Sequence, residues 1–205
     1  MGKGQTMLVT EITTVSGGTL PVQGLKDHLR LGTGFSDSGM QDGLLEGYLR
    51  SAIAAIEGRT GKALLTRQFK LVLEDWRDGS EQALPVAPVA SVVSLTLYSV
   101  TGVATVIAAD RYRLVQDTHR PKLSAAGYVL PVVPVDGRIE VVFNAGFGAA
   151  WTAVPPDLQQ AVFLLAAQYY ERRHEFAEAP AGLPYPVQAL IERWRTVRVL
   201  GGGAA

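Results

Sequence analysis

Residues 138–173 read RIEVVFNAGFGAAWTAVPPDLQQAVFLLAAQYYERR, and this stretch joins three kinds of local pattern. Apolar residues alternate at Ile139, Val141 and Phe143, which predicts a half-buried strand. Glycines follow, and after the paired prolines the apolar spacing changes to the period of a helix. The stretch therefore predicts a strand, a glycine turn and an apolar helix, and the role of the last two separates ligand binding from assembly.

The glycine turn, GFGAAW at residues 146–151, imitates the start of a dinucleotide-binding fingerprint. That fingerprint has a third glycine for close helix packing, but Trp151 stands at its position here. Pro155 and Pro156 delay the helix, so its N-terminus does not follow the turn directly, and no parallel βαβ pattern surrounds the motif. The pattern favours a structural turn from sheet to helix, with phosphate binding as the alternative.

The helix after the turn is apolar nearly all round. Its expected core stripe consists of Leu158, Ala161, Val162, Leu165, Ala166 and Tyr169. Phe163, Leu164, Ala167 and Tyr170 add apolar surface beside that stripe. Because such a helix is usually buried on more than one side, the pattern indicates a neighbouring subunit on the second side. The alternative is a helix that is central to the monomer.

Composition limits the class of protein. The chain has 205 residues, 47% of them hydrophobic, which suffices for one good core or two small ones. Nineteen basic and nineteen acidic residues cancel, which argues against a dedicated nucleic-acid binder. Cysteine is absent, so disulfides and thiolate metal sites are excluded. No apolar run reaches the roughly 18–20 residues that span a bilayer, and residues 1–18 lack a signal-peptide pattern. We expect synthesis in the cytoplasm and no membrane partner.

The remaining segments predict an α+β fold, with a small helical bundle packed with an antiparallel β-region. A short amphipathic helix is expected in LPVQGLKDHLRL at residues 20–31. A second helix is expected from Asp42 to about Gly58–Gly61, with its apolar stripe at positions 45, 49, 53 and 56.

The middle of the chain changes to the two-residue period of strands. Apolar residues alternate at positions 69, 71 and 73, and Val93, Leu95 and Leu97 are expected on one face. Thr101-Gly102 is a hairpin signal, and DRYRLV at 110–115 continues the alternation. Together with residues 138–148 these segments predict one antiparallel sheet of about five short strands.

Residues that could carry catalysis are scarce. The three histidines, His28, His119 and His174, lie on different segments without metal-ligand spacing. RRHEFAEA at 172–179 is typical of a charged, solvent-facing helix end. Glu74, Asp75 and Asp78 gather in a turn that carboxylates normally shape, with a divalent-cation site as the alternative. GxSxG elbow, P-loop and cysteine nucleophile are all absent from the sequence. We therefore expect no enzyme, no catalytic residues, no cofactor and no metal.

Six segments of the sequence, taken in their order along the chain, form one series. They are LPVQGLKDHLRL, LLEGYLRSAIAAIEGRTGKALLTRQFKLVLEDW, LPVAPVASVVSLTLYS, YRL, VVFNAGFG and VPPDLQQAVFLLAAQYYERR. This series, over roughly residues 20–175, resembles the head–tail connector (adaptor) family of tailed bacteriophages, including the connectors of phage-like gene transfer agents. EGRTGKAL and FNAGFG followed by VPPDLQQA are its most specific parts. Phe147 stands where the family often has tyrosine, which keeps the packing but removes a hydroxyl.

The resemblance implies a structural subunit of a homo-oligomeric ring in the neck of a virion or phage-like particle. It implies a ring of twelve copies between the portal protein and the next neck or tail component, the stopper. DNA is expected to pass through the central tunnel without sequence-specific binding, and a net charge of zero suits DNA that must slide.

A closed ring of this kind pairs two different surfaces of each subunit. The residues expected at the subunit interface are Trp151, Phe163, Leu164, Tyr170, Arg172 and Arg173. The apolar members are expected to act as anchors and the two arginines to lie at the rim. For Trp151, ordinary core packing is the alternative.

The C-terminal segment differs in character from the rest. APAGLPYP at 179–186 is typical of a linker, and VQALIERWRTVRVL at 187–200 predicts an amphipathic helix. By analogy with adaptors whose C-terminal segments engage the portal, the predicted portal-docking residues are Leu190, Arg193, Trp194, Arg195, Val197 and Arg198. The alternative is a helix folded back on its own domain.

The expected organisation has three parts: an extended N-terminal arm at 1–20, a connector domain at 21–175, and a linker with a docking helix and flexible end at 176–205. A second class of function stays open, namely an α+β domain that interacts with nucleic acid, or a metal-dependent enzyme, acting through the acidic turn or the arginine-rich tail. The sequence offers no ligand set for either activity.

Overall fold

The computed structural model describes residues 7–31, 41–173 and 182–195. The helices and strands of these ranges are β1 Met7–Glu11, α1 Val22–His28, α2 Asp42–Thr60, β2 Arg67–Leu73, β3 Glu81–Ala83, β4 Val89–Tyr98, β5 Ala104–Val106, β6 Tyr112–Val115, β7 Lys122–Ala125, β8 Arg138–Ala145, α3 Pro156–Glu171 and α4 Tyr185–Ile191. Short 3-10 turns lie at Gly17–Thr19, Ala109–Arg111, Trp151–Ala153 and Glu192–Trp194. The α+β prediction is confirmed.

The helices surround the first of two hydrophobic cores found in the described residues. The stripe of α2 predicted from its spacing, at positions 45, 49, 53 and 56, is buried as expected. The helix ends at Thr60 because Gly61 adopts a left-handed φ of 69° and donates its N–H to the carbonyl of Glu57. α3 packs against α1, α2 and α4 of its own chain.

The strands form two antiparallel sheets and enclose the second core. The main sheet has five strands in the order β1-β2-β8-β4-β5, and the smaller sheet has three in the order β3-β7-β6. The prediction of one sheet of about five strands is corrected, because the described residues form eight strands in two sheets, and the membership of the five-stranded sheet differs from the predicted one in two places. β1 joins it from the N-terminal arm, and β6 leaves it to pair with β7. Long-range pairing decides sheet membership, and local alternation does not reveal it.

Strand β4 contains a bulge that corrects one predicted core position. Val92 pairs with Phe143 and Ser94 pairs with Val142, so Val93 is an extra residue without a partner on β8. An extra residue reverses the alternation of side chains on either side of it. Val93 is accordingly 51% exposed, whereas Leu95 is fully buried.

The described part of the N-terminal arm, residues 7–20, is tied to the domain, with a strand at Met7–Glu11 and a 3-10 turn at Gly17–Thr19. Strand β1 pairs with β2 along its whole length. The backbone N–H of Ile12 then bonds to the carbonyl of Gln68 at 2.8 Å, and Thr13 Oγ1 accepts the N–H of Gln68 at 2.9 Å. Leu20 is buried in the helical core. The arm therefore supplies an edge strand of the main sheet.

Candidate subunit and partner interfaces

The backbone N–H groups of the glycine turn after β8 form hydrogen bonds within the chain. Gly146, with a φ of 141°, donates its N–H to the carbonyl of Pro88 at 2.9 Å, and Phe147 donates to the carbonyl of Leu64 at 3.3 Å. A Cβ on Gly146 would lie 2.5 Å from the Cα and N atoms of Thr66. Glycine is needed here because two backbone segments meet, and these amides are already bonded to protein carbonyls rather than turned toward a phosphate.

Arg67, the first residue of β2, joins three parts of the chain. Its Nη2 lies 2.5 Å from Oε2 of Glu57 near the end of α2, and its Nε lies 3.0 Å from Oε1 of Glu11 in β1. Glu57 also accepts the backbone N–H of Leu64 at 2.7 Å. Burial, the largest single influence, lowers the pKa of Arg67, but the hydrogen bonds and charges of Glu57 and Glu11 outweigh it and raise that pKa.

This ionic junction holds the helical part, the sheet and the arm together. Sequence reasoning missed it, because Glu57 and Arg67 are separated by 10 positions and by the turn at Gly61. Ion pairs within one helix can be predicted from a spacing of three or four residues, and Glu57 and Arg67 do not have that spacing.

Phe163, a predicted interface residue on α3, lies against α1 of its own chain. Its ring stacks on His28 with 5.9 Å between centroids and lies 5.8 Å from the ring of Trp151. A Cβ added at Gly24 in α1 would be 3.0 Å from the Phe163 ring. Within the described ranges the buried Trp151 Nε1 has no hydrogen-bond partner. This side of α3 is largely covered by other parts of the same chain. That Phe163 and Trp151 also contact a neighbouring subunit stays a prediction.

The C-terminal end of α3 brings two more predicted interface residues together. Tyr170 meets Tyr48 of α2 edge-on at 6.2 Å, and the guanidinium of Arg173 lies 4.6 Å from the centre of the Tyr170 ring. Leu164 is half-buried on the helical core, and Arg172 is exposed beside Arg173. Tyr170 and Arg173 therefore form one amphipathic corner at this end of the helix.

Helix α4 is folded back on its own domain, the alternative that the sequence left open. Its buried residues are Val187 and Ile191, while Leu190 from the predicted stripe is only half-buried. Pro184 and Pro186 set the helix start. Val197 and Arg198 lie outside the described residues, as do residues 174–181 with His174.

Trp194 is held at the junction of several elements. Its Nε1 donates to Oδ2 of Asp157 in the first turn of α3 at 2.7 Å, and its ring meets Phe147 of the glycine turn edge-on at 5.2 Å. Asp157 Oδ2 also lies 2.6 Å from Nε of Arg193. Arg195 is exposed and pairs with Glu192 at 3.0 Å. Of the predicted docking residues in the described part, Arg193 and Arg195 present the most open surface.

The acidic turn is shaped by its own hydrogen bonds. Oδ1 of Asp78 accepts the backbone N–H and the hydroxyl of Ser80, both at 2.7 Å, and the hydroxyl bond is the main cause of the lowered pKa of Asp78. Asp75 accepts the N–H of Trp76 at 2.8 Å. Across residues 7–31, 41–173 and 182–195, no group of three or more His, Asp or Glu side chains is arranged to hold a metal ion.

Lys62 is a buried cation that the sequence did not single out. The residue is 1% exposed, and no described residue accepts a hydrogen bond from its Nζ. Burial lowers the pKa of Lys62, and the charge of Asp117 opposes this shift only in part. The charged form of the Lys62 side chain therefore lowers the stability of the fold.

Exposed apolar side chains concentrate on the β-region. Those of the strands and their connections are Met7, Leu8, Val93, Val100, Val103, Val106, Val115, Tyr128, Val129, Val132 and Val135. None of them was predicted from the sequence to be an exposed interface residue, and Val93 was expected on the same face as Leu95, because alternation marks buried faces and not exposed ones. Among the described helices, none has the length and apolar character needed to cross a bilayer.

Comparisons with known structures find close likenesses. The neck of an empty GTA particle, computed with C6 symmetry, contains a chain with 58% identity and a TM-score of 0.86, covering 95% of this chain and 98% of that one. A virion of a native gene transfer agent (GTA) particle contains a match at 58% identity with the same coverage and a TM-score of 0.84. The neck of a native GTA particle, computed with C12 symmetry, gives 54% identity, the same coverage and a TM-score of 0.82. No protein-family profile and no curated protein matches the chain.

Proposed function

Because the chain belongs to the head–tail connector family of gene transfer agents, we propose that it builds the ring through which a particle's head and tail are joined. The observation that carries this proposal is the 58% identity, over 95% of the chain, to a chain of a GTA particle neck. The protein is a structural component of the neck of a phage-like particle and forms a homo-oligomeric ring there. We infer that the ring has twelve copies, which the C12 symmetry of a related neck supports.

The ring is proposed to lie between the portal protein and the next neck component, around a tunnel for DNA. Equal numbers of acidic and basic residues, 19 each, support a passage in which DNA slides without tight phosphate binding. The protein is proposed to have no catalytic activity. The backbone use of the glycine turn and the self-contained acidic turn support this, since each occupies the groups that a ligand would need.

The portal is proposed to meet the C-terminal face of the subunit. Arg193 and Arg195 follow the end of α4 with exposed side chains, and the predicted docking residues Val197 and Arg198 come later in the sequence. Because Val187 and Ile191 belong to the helical core, deleting α4 would damage the fold as well as the contact. The docking surface is therefore best tested with single exposed arginines.

The ring is tested by the mass of the purified protein in solution, measured by light scattering alone and with the related portal protein. The expected result is twelve times the 21.9 kDa of one chain, either as the mass of a free ring or as the mass added to the portal. A chain that is monomeric alone and does not bind the portal when it is added would refute the ring.

The portal contact is tested by reversing one exposed charge. Arg195→Glu is expected to weaken portal binding about tenfold, equivalent to about 1.4 kcal/mol. Arg113→Glu, an exposed arginine on β6, is the matched control and should bind as the unaltered chain does. Equal weakening by both variants would mean that general charge, and not this surface, governs the interaction.

A further inference from the structure

The main sheet ends in two open edges that lie at opposite sides of the subunit. Among the described residues β1 pairs only with β2, and β5 pairs only with β4. An edge strand carries backbone N–H and C=O groups that point away from the sheet and can pair with another chain. Proteins usually block such edges with lysine, proline or a covering segment.

Neither edge is blocked by its own residues. β1 reads MLVTE and β5 reads ATV, so both lack lysine and proline. The one charged residue, Glu11, is engaged by Arg67 at 3.0 Å. Leu8 is 57% exposed and Val106 is 72% exposed. Within residues 7–31, 41–173 and 182–195, the two edges therefore combine backbone groups that no other strand pairs with and exposed apolar side chains, as strands that join across an interface do.

The register of the sheet connects the two exposed side chains. Leu8 pairs with Val72, Val72 with Glu140, Glu140 with Thr96, and Thr96 with Val106. These five residues form one row across the sheet. Paired residues share a face, and this row lies on the face opposite to the buried neighbours Leu71 and Leu97. Leu8 and Val106 are thus the two ends of a single row on the same face.

Strand direction fits a head-to-tail contact. Each neighbouring pair in the order β1-β2-β8-β4-β5 is antiparallel, so β1 and β5 run in the same direction. In a twelvefold ring, neighbouring copies differ by a rotation of one twelfth of a turn, which leaves strand directions nearly unchanged. The β5 edge of one copy would meet the β1 edge of the next as a parallel pair.

We propose that the subunit contact of the ring joins the β5 edge of one copy to the β1 edge of the next, with Val106 beside Leu8. This inference rests on the proposed ring and names the surface that closes it. The occupant of each edge is a second copy of this chain, since a closed ring needs two different, mutually complementary surfaces on every subunit. The sheets then continue from copy to copy around the neck.

Chemical cross-linking tests the contact in the assembled ring, formed alone or on the portal. The chain has no cysteine, so a Leu8→Cys, Val106→Cys double variant carries two known thiols per subunit. A short bismaleimide, which tolerates an offset of one residue in register, is expected to produce a ladder of covalent oligomers up to the full ring. Each single variant should stay monomeric on the same denaturing gel.

The outcomes separate the contact from the ring itself. A ring of the expected mass without a ladder would overturn the edge contact and leave the connector function standing. Dimers from Leu8→Cys alone would also overturn it, because they indicate a symmetric β1–β1 contact. If the unaltered chain never forms a ring, the proposed function is refuted, and the inference is refuted with it.

A charge at the edge gives a second readout. Val106→Lys is expected to leave a folded monomer that does not assemble, because the lysine blocks strand pairing as it does at natural sheet edges. Val115→Lys is the matched control, since Val115 is 40% exposed on β6 and belongs to the smaller sheet, not to either edge of the main sheet. Normal ring formation by Val106→Lys would overturn the inference.

Discussion

Replacing Gly146 with alanine tests the view that the glycine turn is a structural joint. The added Cβ would lie 2.5 Å from the Cα and N atoms of Thr66, about 1 Å closer than ordinary contact. The φ of 141° adds strain for any residue with a side chain, about 1–3 kcal/mol. Forcing the two backbone segments apart adds about 1–3 kcal/mol. The expected loss in the free energy of unfolding is therefore about 4 kcal/mol.

Urea denaturation followed by circular dichroism measures this loss. With a slope of about 2 kcal/mol per molar, the midpoint should fall by about 2 M urea. Gly47→Ala is the matched control, because Gly47 is exposed in the middle of α2 and its added Cβ meets nothing within 4 Å. That control should gain about 0.5–1 kcal/mol from helix propensity.

Two results would refute the reasoning. If Gly146→Ala unfolds at the same urea concentration as the unaltered chain, the turn does not need glycine. If the variant keeps its stability but loses binding of a phosphate compound, the turn is a ligand site. A large loss of stability together with a stable Gly47→Ala variant supports the joint between β8 and the segment at Thr66.

Two further predictions concern buried charges. Arg67→Met should lower the free energy of unfolding by about 3–5 kcal/mol, because it leaves the nearly buried Glu57 without its cation, and an unchanged urea midpoint would contradict this. Lys62→Met should raise stability at neutral pH by about 1 kcal/mol, because it removes a buried ammonium. The pKa of Lys62 is lower in the folded chain, so between that pKa and its ordinary value the unfolded chain binds more protons and stability rises with pH. Lys62→Met should lose this rise in thermal melts at increasing alkaline pH, and a rise of equal size in the variant would assign it to another group.

The helices were predictable because their packing follows from local spacing. The buried stripe of α2 and the apolar character of α3 could both be predicted from the sequence, and so could the hairpin between β4 and β5. The glycines of the hairpin and of the end of α2 adopt positive φ, at Gly102 and Gly61, as such turns require. Local chemistry was therefore sufficient for these elements.

The sheet membership and the candidate surfaces were not predictable in the same way. A bulge at Val93 reverses the faces of β4 without any change in the alternating pattern. The pairing of β1 with β2 joins residues more than fifty positions apart, and the Arg67 junction depends on that pairing. The second apolar side of α3 indicated a partner, but α1 supplies much of the cover, because a short helix far away in sequence happens to pack there.

The position of β8 in the middle of the main sheet has a consequence for protein synthesis. β8 separates β2 from β4, yet it leaves the ribosome after all the other strands that the structure describes. A nascent chain that stops before residue 138 lacks the strand on which both halves of the sheet pair. Its two edge strands then belong to separate fragments with no common frame. The whole main sheet therefore depends on a strand that is made late, and its folding is completed only once residue 145 has been synthesised.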